Sequence, residues 1–223
     1  MTIIQATGTA LVTISRRTLL QTASAFTVGA ACVSLPSLAL AQSVNVEELM
    51  KPGPLGDKVL GDDNAPVTII EYASMTCGHC ANFHTGTYPE LKKEYVETGK
   101  VRFVFREYPL DPVAAAAFML ARCAPDEQYF DIIDIMFEQQ RSWAFTDNPY
   151  NSLLNLSKQI GFTQESFEKC LTNQGLLDAV NAVRDRASTE FGVNSTPTFF
   201  VNGEKHSGAL SFDEFSKIIE EQL

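Results

Sequence analysis

The feature that most constrains this chain is Cys77-Gly78-His79-Cys80, set between a strand-like run and a helix-like run. Val67-Thr68-Ile69-Ile70-Glu71-Tyr72-Ala73 is β-branched and almost continuously apolar, the pattern of a strand buried on both faces. After the cysteine pair, a helical pattern reaches about Thr98. Phe83, Leu91 and Tyr95 share its apolar face, and Gly99 supplies a stop. Val101-Arg102-Phe103-Val104-Phe105-Arg106 reads as a second strand. Strand, helix and strand in this order predict a βαβ unit with a parallel sheet, and place the cysteine pair in the helix's first turn.

That placement has chemical consequences. A spacing of i, i+3 puts both sulfurs on one helix face, within bonding reach. Unpaired N–H groups at a helix start favour a thiolate there. Free cysteine titrates near about 8.5, and such sites lower it by roughly 1 to 5 units. Cys77 is therefore the expected nucleophile, and the more buried Cys80 the resolving thiol. Gly78 adds no bulk over the sulfur. His79, when protonated, would stabilise the Cys77 thiolate and push the couple toward oxidant; the plainer alternative is an exposed helix residue. C-x-x-C is also half of a zinc site, but structural zinc needs a second close pair. Cys123 and Cys170 are singletons, and His84 and His206 belong to no recognisable ligand cluster. No metal and no cofactor are expected.

The rest of the chain frames this centre. Residues 42–58 read as an N-terminal arm with a short helix at Val46–Met50, and residues 61–66 as a turn. From Pro112 to about Thr189 the pattern is helical throughout, with starts marked by Asp126, Asn148-Pro149 and Thr163 and a stop at Gly161. Trp143 and Phe145 read as packing residues. Strand character returns at Pro197-Thr198-Phe199-Phe200-Val201. Asn202-Gly203 then signals a hairpin into Lys205–Ser207. Phe212, Phe215, Ile218 and Ile219 recur at helical spacing in the last segment.

The first 41 residues carry Arg16 and Arg17 and no acid, then an apolar small-residue run, then Ala39-Leu40-Ala41. This is the layout of a cleaved signal peptide. Ser15-Arg16-Arg17-Thr18-Leu19-Leu20 resembles a twin-arginine export motif, although paired arginines also occur in ordinary secretory signals. Cys32 fits a lipid-attachment site poorly, because Gly29 stands where a larger aliphatic residue belongs. Removing the leader takes the net charge from −10 to −12. With no basic cluster to meet phosphates, nucleic acid is excluded as a partner. An exported chain meets oxidising conditions, where thiols pair. Four cysteines then remain, and pairing Cys77 with Cys80 leaves Cys123 with Cys170, either bonded or as two separate buried thiols.

Glu71, Ser74-Met75-Thr76-Cys77-Gly78-His79-Cys80, the helical stretch, and Ser195-Thr196-Pro197-Thr198-Phe199 occur in an order that resembles the DsbA-type thiol–disulfide oxidoreductases of bacterial envelopes. The resemblance spans about residues 57–223. It implies an α/β thioredoxin-like fold, a mixed sheet flanked by helices, with residues 59–111 and 190–223 as its core and an inserted all-helical domain at 112–189. It implies a cis bond between Thr196 and Pro197, the one kind of linkage where cis is cheap, with the Thr196 backbone left to pair with an extended substrate chain. It implies that Glu71 is a buried acid moving protons for the buried cysteine; an ion pair of Glu71 with Arg102 or Lys58 is the alternative. It allows a structural Cys123–Cys170 disulfide. The function implied is a monomeric periplasmic oxidase, acting on unfolded exported proteins with free thiols and reoxidised by a DsbB-type membrane quinone reductase. A disulfide isomerase or reductase, and a non-catalytic binding module for unfolded chains, are the competing readings.

Overall fold

The computed structural model describes residues 44–223. The leader reading, with Arg16, Arg17, Cys32 and the cleavage point after Ala41, lies outside the described residues. Among the described residues no helix is long and apolar enough to cross a membrane.

Five strands form one mixed sheet in the order β1-β3-β2-β4-β5. They are β1 (Lys58–Leu60), β2 (Val67–Ala73), β3 (Val101–Glu107), β4 (Thr198–Val201) and β5 (Glu204–Ser207). β2 and β3 pair in parallel, with Glu71 opposite Phe105, while β2–β4, β4–β5 and β1–β3 are antiparallel. β2 is therefore central, which explains its near-continuous apolar sequence. β1 is too short to leave a periodic signal: it overlaps the end of the arm at Lys58 and fills the gap before the turn at 61–66.

Side chains alternate across β2. Val67, Ile69 and Ala73 face the larger apolar core, and Ile70 and Tyr72 face a second core under the opposite layer. By the same period of two, Glu71 points into the larger core beside Ile69 and Ala73. That core is covered by the helix that follows β2, by the helical insertion and by the C-terminal helix Phe212–Glu220.

The helix after β2, α2 here, starts with Gly78–Asn82 and continues to residue 96. It is not uniform. Phe83–Thr87 and Lys92–Val96 are wider π-type turns on either side of Tyr88–Leu91. The first precedes Pro89, which lacks an N–H and whose ring crowds the carbonyl four residues back; the wider register accommodates it.

The insertion runs α3 (Pro112–Cys123), a 3₁₀ turn (Asp126–Gln128), α4 (Tyr129–Glu138), α5 (Gln140–Trp143), α6 (Pro149–Gln159), α7 (Gln164–Leu171) and α8 (Gln174–Glu190). Asp111, Asn148, Thr163 and Asn173 cap four of these helices with side-chain acceptors. Cys123 at the end of α3 is bonded to Cys170 in α7, across a separation of 47 residues. Trp143 is fully buried and donates to the Met136 carbonyl at 2.8 Å. Phe145, read as a packing residue from sequence, is 61% exposed instead.

The N-terminal arm, with α1 at Val46–Met50, is clamped rather than loose. Arg106 donates to the carbonyls of Leu49 and Lys51, Arg122 to those of Leu55 and Gly56, and Arg186 to those of Glu48, Lys51 and Pro52. Asp57 and Glu107 pair with the first two of these arginines. α1 also rests on the β4–β5 turn. Asn202 and Gly203 both have positive φ, and a Cβ at Gly203 would sit 2.5 Å from Val46 Cγ2.

Candidate active site

Cys77 occupies the N-cap of α2 in extended conformation, and its carbonyl accepts the first helical N–H, from Ala81, at 3.1 Å. Cys80 lies one turn inside and is fully buried, while Cys77 remains 9% exposed. Both are free thiols. The β2–α2 connection is held from the insertion. Gln140 Nε2, buried in α5, donates to the Met75 carbonyl at 2.9 Å and to the Cys77 carbonyl at 3.0 Å. Sequence reasoning passed over Gln140, since one glutamine in a helix carries no signal.

The second wall is the loop before β4. Thr196-Pro197 is a cis peptide bond. The Thr196 carbonyl accepts from Cys77 Sγ at 3.2 Å, although the two residues are 119 positions apart. The Thr196 hydroxyl is buried with no hydrogen-bond partner among the described residues.

These surroundings separate the two thiols. The Cys80 thiol, donating to a Cys77 thiolate, is the largest cause that brings Cys77 down to about 5. Burial opposes it. The backbone N–H groups of Cys80 and His79 assist. Burial pushes Cys80 well above the usual thiol range, and the charges of Cys77 and Glu71 add to the rise. His79 thus reaches the Cys77 sulfur through its backbone; its ring is exposed. It borders a cleft of about 460 Å³ with Asn82, Glu138, Gln140 and Arg141.

Glu71 is fully buried, and burial raises its pKa. Neither partner considered from sequence reaches it: Lys58 pairs with Asp126 and Arg102 with Asp63. Glu71 Oε2 lies instead 3.0 Å from His84 Nε2. His84 Nδ1 is 3.5 Å from Asp134 Oδ1, an ion-pair distance too poorly aligned for a hydrogen bond. Burial opposes the charge on His84, but the two carboxylates outweigh it and lift the ring to about 9. In the sequence His84 belongs to no recognisable ligand cluster. Thirteen residues separate it from Glu71, and only the fold brings the two together. Among the described residues no group of three His, Cys, Asp or Glu could hold a metal ion.

A dithiol at the start of the helix after a central parallel strand, faced by a cis-proline loop, defines a thioredoxin-like protein with a redox-type cysteine pair. Comparison with known proteins agrees. The thioredoxin family model matches residues 55–221. The crystal structure of Wolbachia pipientis α-DsbA1 is 32% identical, with 79% of this chain and 95% of that chain covered and a TM-score of 0.73. The chain belongs to the thioredoxin family, in its DsbA-like branch. A relative from Rickettsia felis, named as a protein-disulfide oxidoreductase, is 35% identical over 174 residues. That match takes in 75% of this chain and 60% of the relative, so the chain spans about 60% of the relative's length. BdbD from Bacillus subtilis, at 23% identity and a TM-score of 0.64 over 77% of this chain and 95% of that one, shares the fold.

Proposed function

We propose that this protein is a thiol–disulfide oxidoreductase that introduces disulfides into exported proteins at the Cys77–Cys80 pair. The observation that carries the proposal is the split between the two thiols: a partly exposed Cys77 brought to about 5, beside a buried Cys80 raised well above the ordinary range. A thiolate stable at neutral pH is a good leaving group, and it favours the reduced form of the pair. Such a protein accepts electrons readily.

In the forward direction a substrate thiolate attacks Sγ of Cys77 in the oxidised pair. The Cys77–Cys80 bond breaks, and Cys80 leaves with the electron pair and takes up a proton supplied through Glu71. A second substrate thiolate then attacks the substrate sulfur of the mixed disulfide and releases Cys77 as a thiolate. Two electrons pass from the substrate dithiol to the protein. Thr196 and Pro197 line the approach, and the Thr196 N–H makes no backbone hydrogen bond among the described residues, which leaves it for an extended substrate strand. A protonated His79 ring adds positive charge beside Cys77. Cys123–Cys170, in the insertion, is structural. The leader pattern supports action in the periplasm, on unfolded chains with free thiols. A DsbB-type membrane quinone reductase would close the cycle by reoxidation.

The test uses refolding of ribonuclease. Cys77→Ser should abolish oxidation of the reduced form, and Cys80→Ser should accumulate a mixed disulfide at Cys77. Efficient unscrambling with weak oxidation would make the protein an isomerase, and full activity of Cys77→Ser would end the enzyme reading.

A further inference from the structure

We propose that Asp134, His84 and Glu71 form a proton path joining the buried Cys80 to solvent. The inference rests on the exchange reading above and extends it to residues that reading leaves unused.

Cys80 is fully buried, so a proton that it gains or loses cannot come directly from water. Glu71 sits on the same face of the sheet, fully buried, and its charge acts on Cys80. Glu71 Oε2 is 3.0 Å from His84 Nε2, while Oε1 has no partner among the described residues. A buried carboxylate oxygen left unpaired is costly, and more so when charged. A purely structural Glu71 would not be expected to keep that cost. His84 is equally buried, its ring stacked on Phe137 at 4.3 Å, and its other nitrogen faces Asp134 Oδ1 at 3.5 Å. The Asp134 side chain is 38% exposed. It opens into a cleft of about 410 Å³, whose other charged lining is Lys92, Glu97 and Glu138. Burial falls from one end of this line to the other, from Cys80 to Asp134.

The groups facing His84 are few. β2 contributes Glu71, α4 contributes Asp134, and α2 itself contributes Tyr88, whose burial raises its pKa. β3 presents only the Phe105 ring. When Cys80 leaves Cys77, its thiolate takes a proton that His84 hands over through the Glu71 carboxylate, and Asp134 passes one from solvent to His84. The path is loaded while His84 is protonated, below about pH 9, and empties above it. Removing the Asp134 charge lowers the His84 pKa, so the path should then empty at lower pH.

The experiment follows reduction of the oxidised protein by dithiothreitol in a single turnover from pH 6 to 10, corrected for the dithiothreitol thiolate. Alkylation of Cys77 in the reduced protein is measured in parallel. In the unsubstituted protein the corrected rate should fall above about pH 9. Asp134→Asn, at a partly exposed position, should move that fall down by about one pH unit while the Cys77 alkylation profile holds. His84→Gln should remove the inflection and slow the step about tenfold, toward the lower end of proton-transfer effects. An Asp134→Asn protein with the parent's rate and inflection would overturn the path, whether or not His84→Gln folds. If the unsubstituted protein shows no low-pH alkylation of Cys77, the exchange reading itself falls.

Discussion

The lowered Cys77 pKa makes a quantitative prediction about stability. In the folded dithiol form the group titrates near 5, against 9.0 when unfolded. Because the folded value is the lower one, the stabilisation is absent below pH 5, grows between 5 and 9, and is complete above 9. Each unit in that window is worth about 1.4 kcal/mol. At pH 7 the two units passed give roughly 2.7 kcal/mol as a ceiling, and partial solvation of the sulfur reduces this to about 1–2 kcal/mol. The perturbation is Cys77→Ser, which deletes the titration. The assay is urea unfolding of the reduced protein and of the variant at pH 4.5 and pH 7.0. Side-chain size and packing contribute equally at both pH values, so they cancel in the comparison. The advantage of the parent over the variant should grow by about 1–2 kcal/mol between the two conditions. An advantage that is the same at both would refute the claim that the fold stabilises the Cys77 thiolate.

Three further outcomes follow from the packing. Gln140→Ala removes a donor shared by two buried carbonyls, so urea titration should show a loss of about 1–3 kcal/mol. Reduction of the pair by dithiothreitol should slow as the β2–α2 turn loosens. Replacing both Cys123 and Cys170 by Ala should cost about 4 kcal/mol at most, from the loop they close, and leave the equilibrium of Cys77–Cys80 with glutathione unchanged. Gly203→Ala should destabilise by at least about 1 kcal/mol in thermal unfolding, because its φ is positive and the new Cβ meets Val46; Val46→Ala in the same chain should recover part of the loss.

What the sequence revealed, and what it hid, follows from where each signal resides. The central strand, the cysteine pair at the helix start and the Asn202-Gly203 turn are local chemistry, written in adjacent residues. So are the helix starts at Asn148 and Thr163, whereas Asp126, expected to cap a helix, begins only a 3₁₀ turn, caps nothing and pairs with Lys58. β1 has only three residues, too few for a period. The arginine clamps on the arm work through backbone carbonyls, which leave no mark in the residue types. Glu71 stood out as an acid in an apolar run, but its partner His84 is 13 residues away and Asp134 lies in the insertion. Gln140 is a further case, since its role depends on α5 folding back against the β2–α2 turn. Phe145 shows the converse: an aromatic residue beside a buried tryptophan can still face solvent.

The central claim is that Cys77 of Cys77-Gly78-His79-Cys80 is the stabilised thiolate that exchanges with substrate, while Cys80 stays buried and protonated. The most direct test is the pH dependence of alkylation of the reduced protein, read at each cysteine by mass spectrometry. The account predicts a Cys77 midpoint near pH 5, with Cys80 unreactive until well above pH 9. A Cys77 midpoint near 9, or Cys80 reacting first, would contradict it.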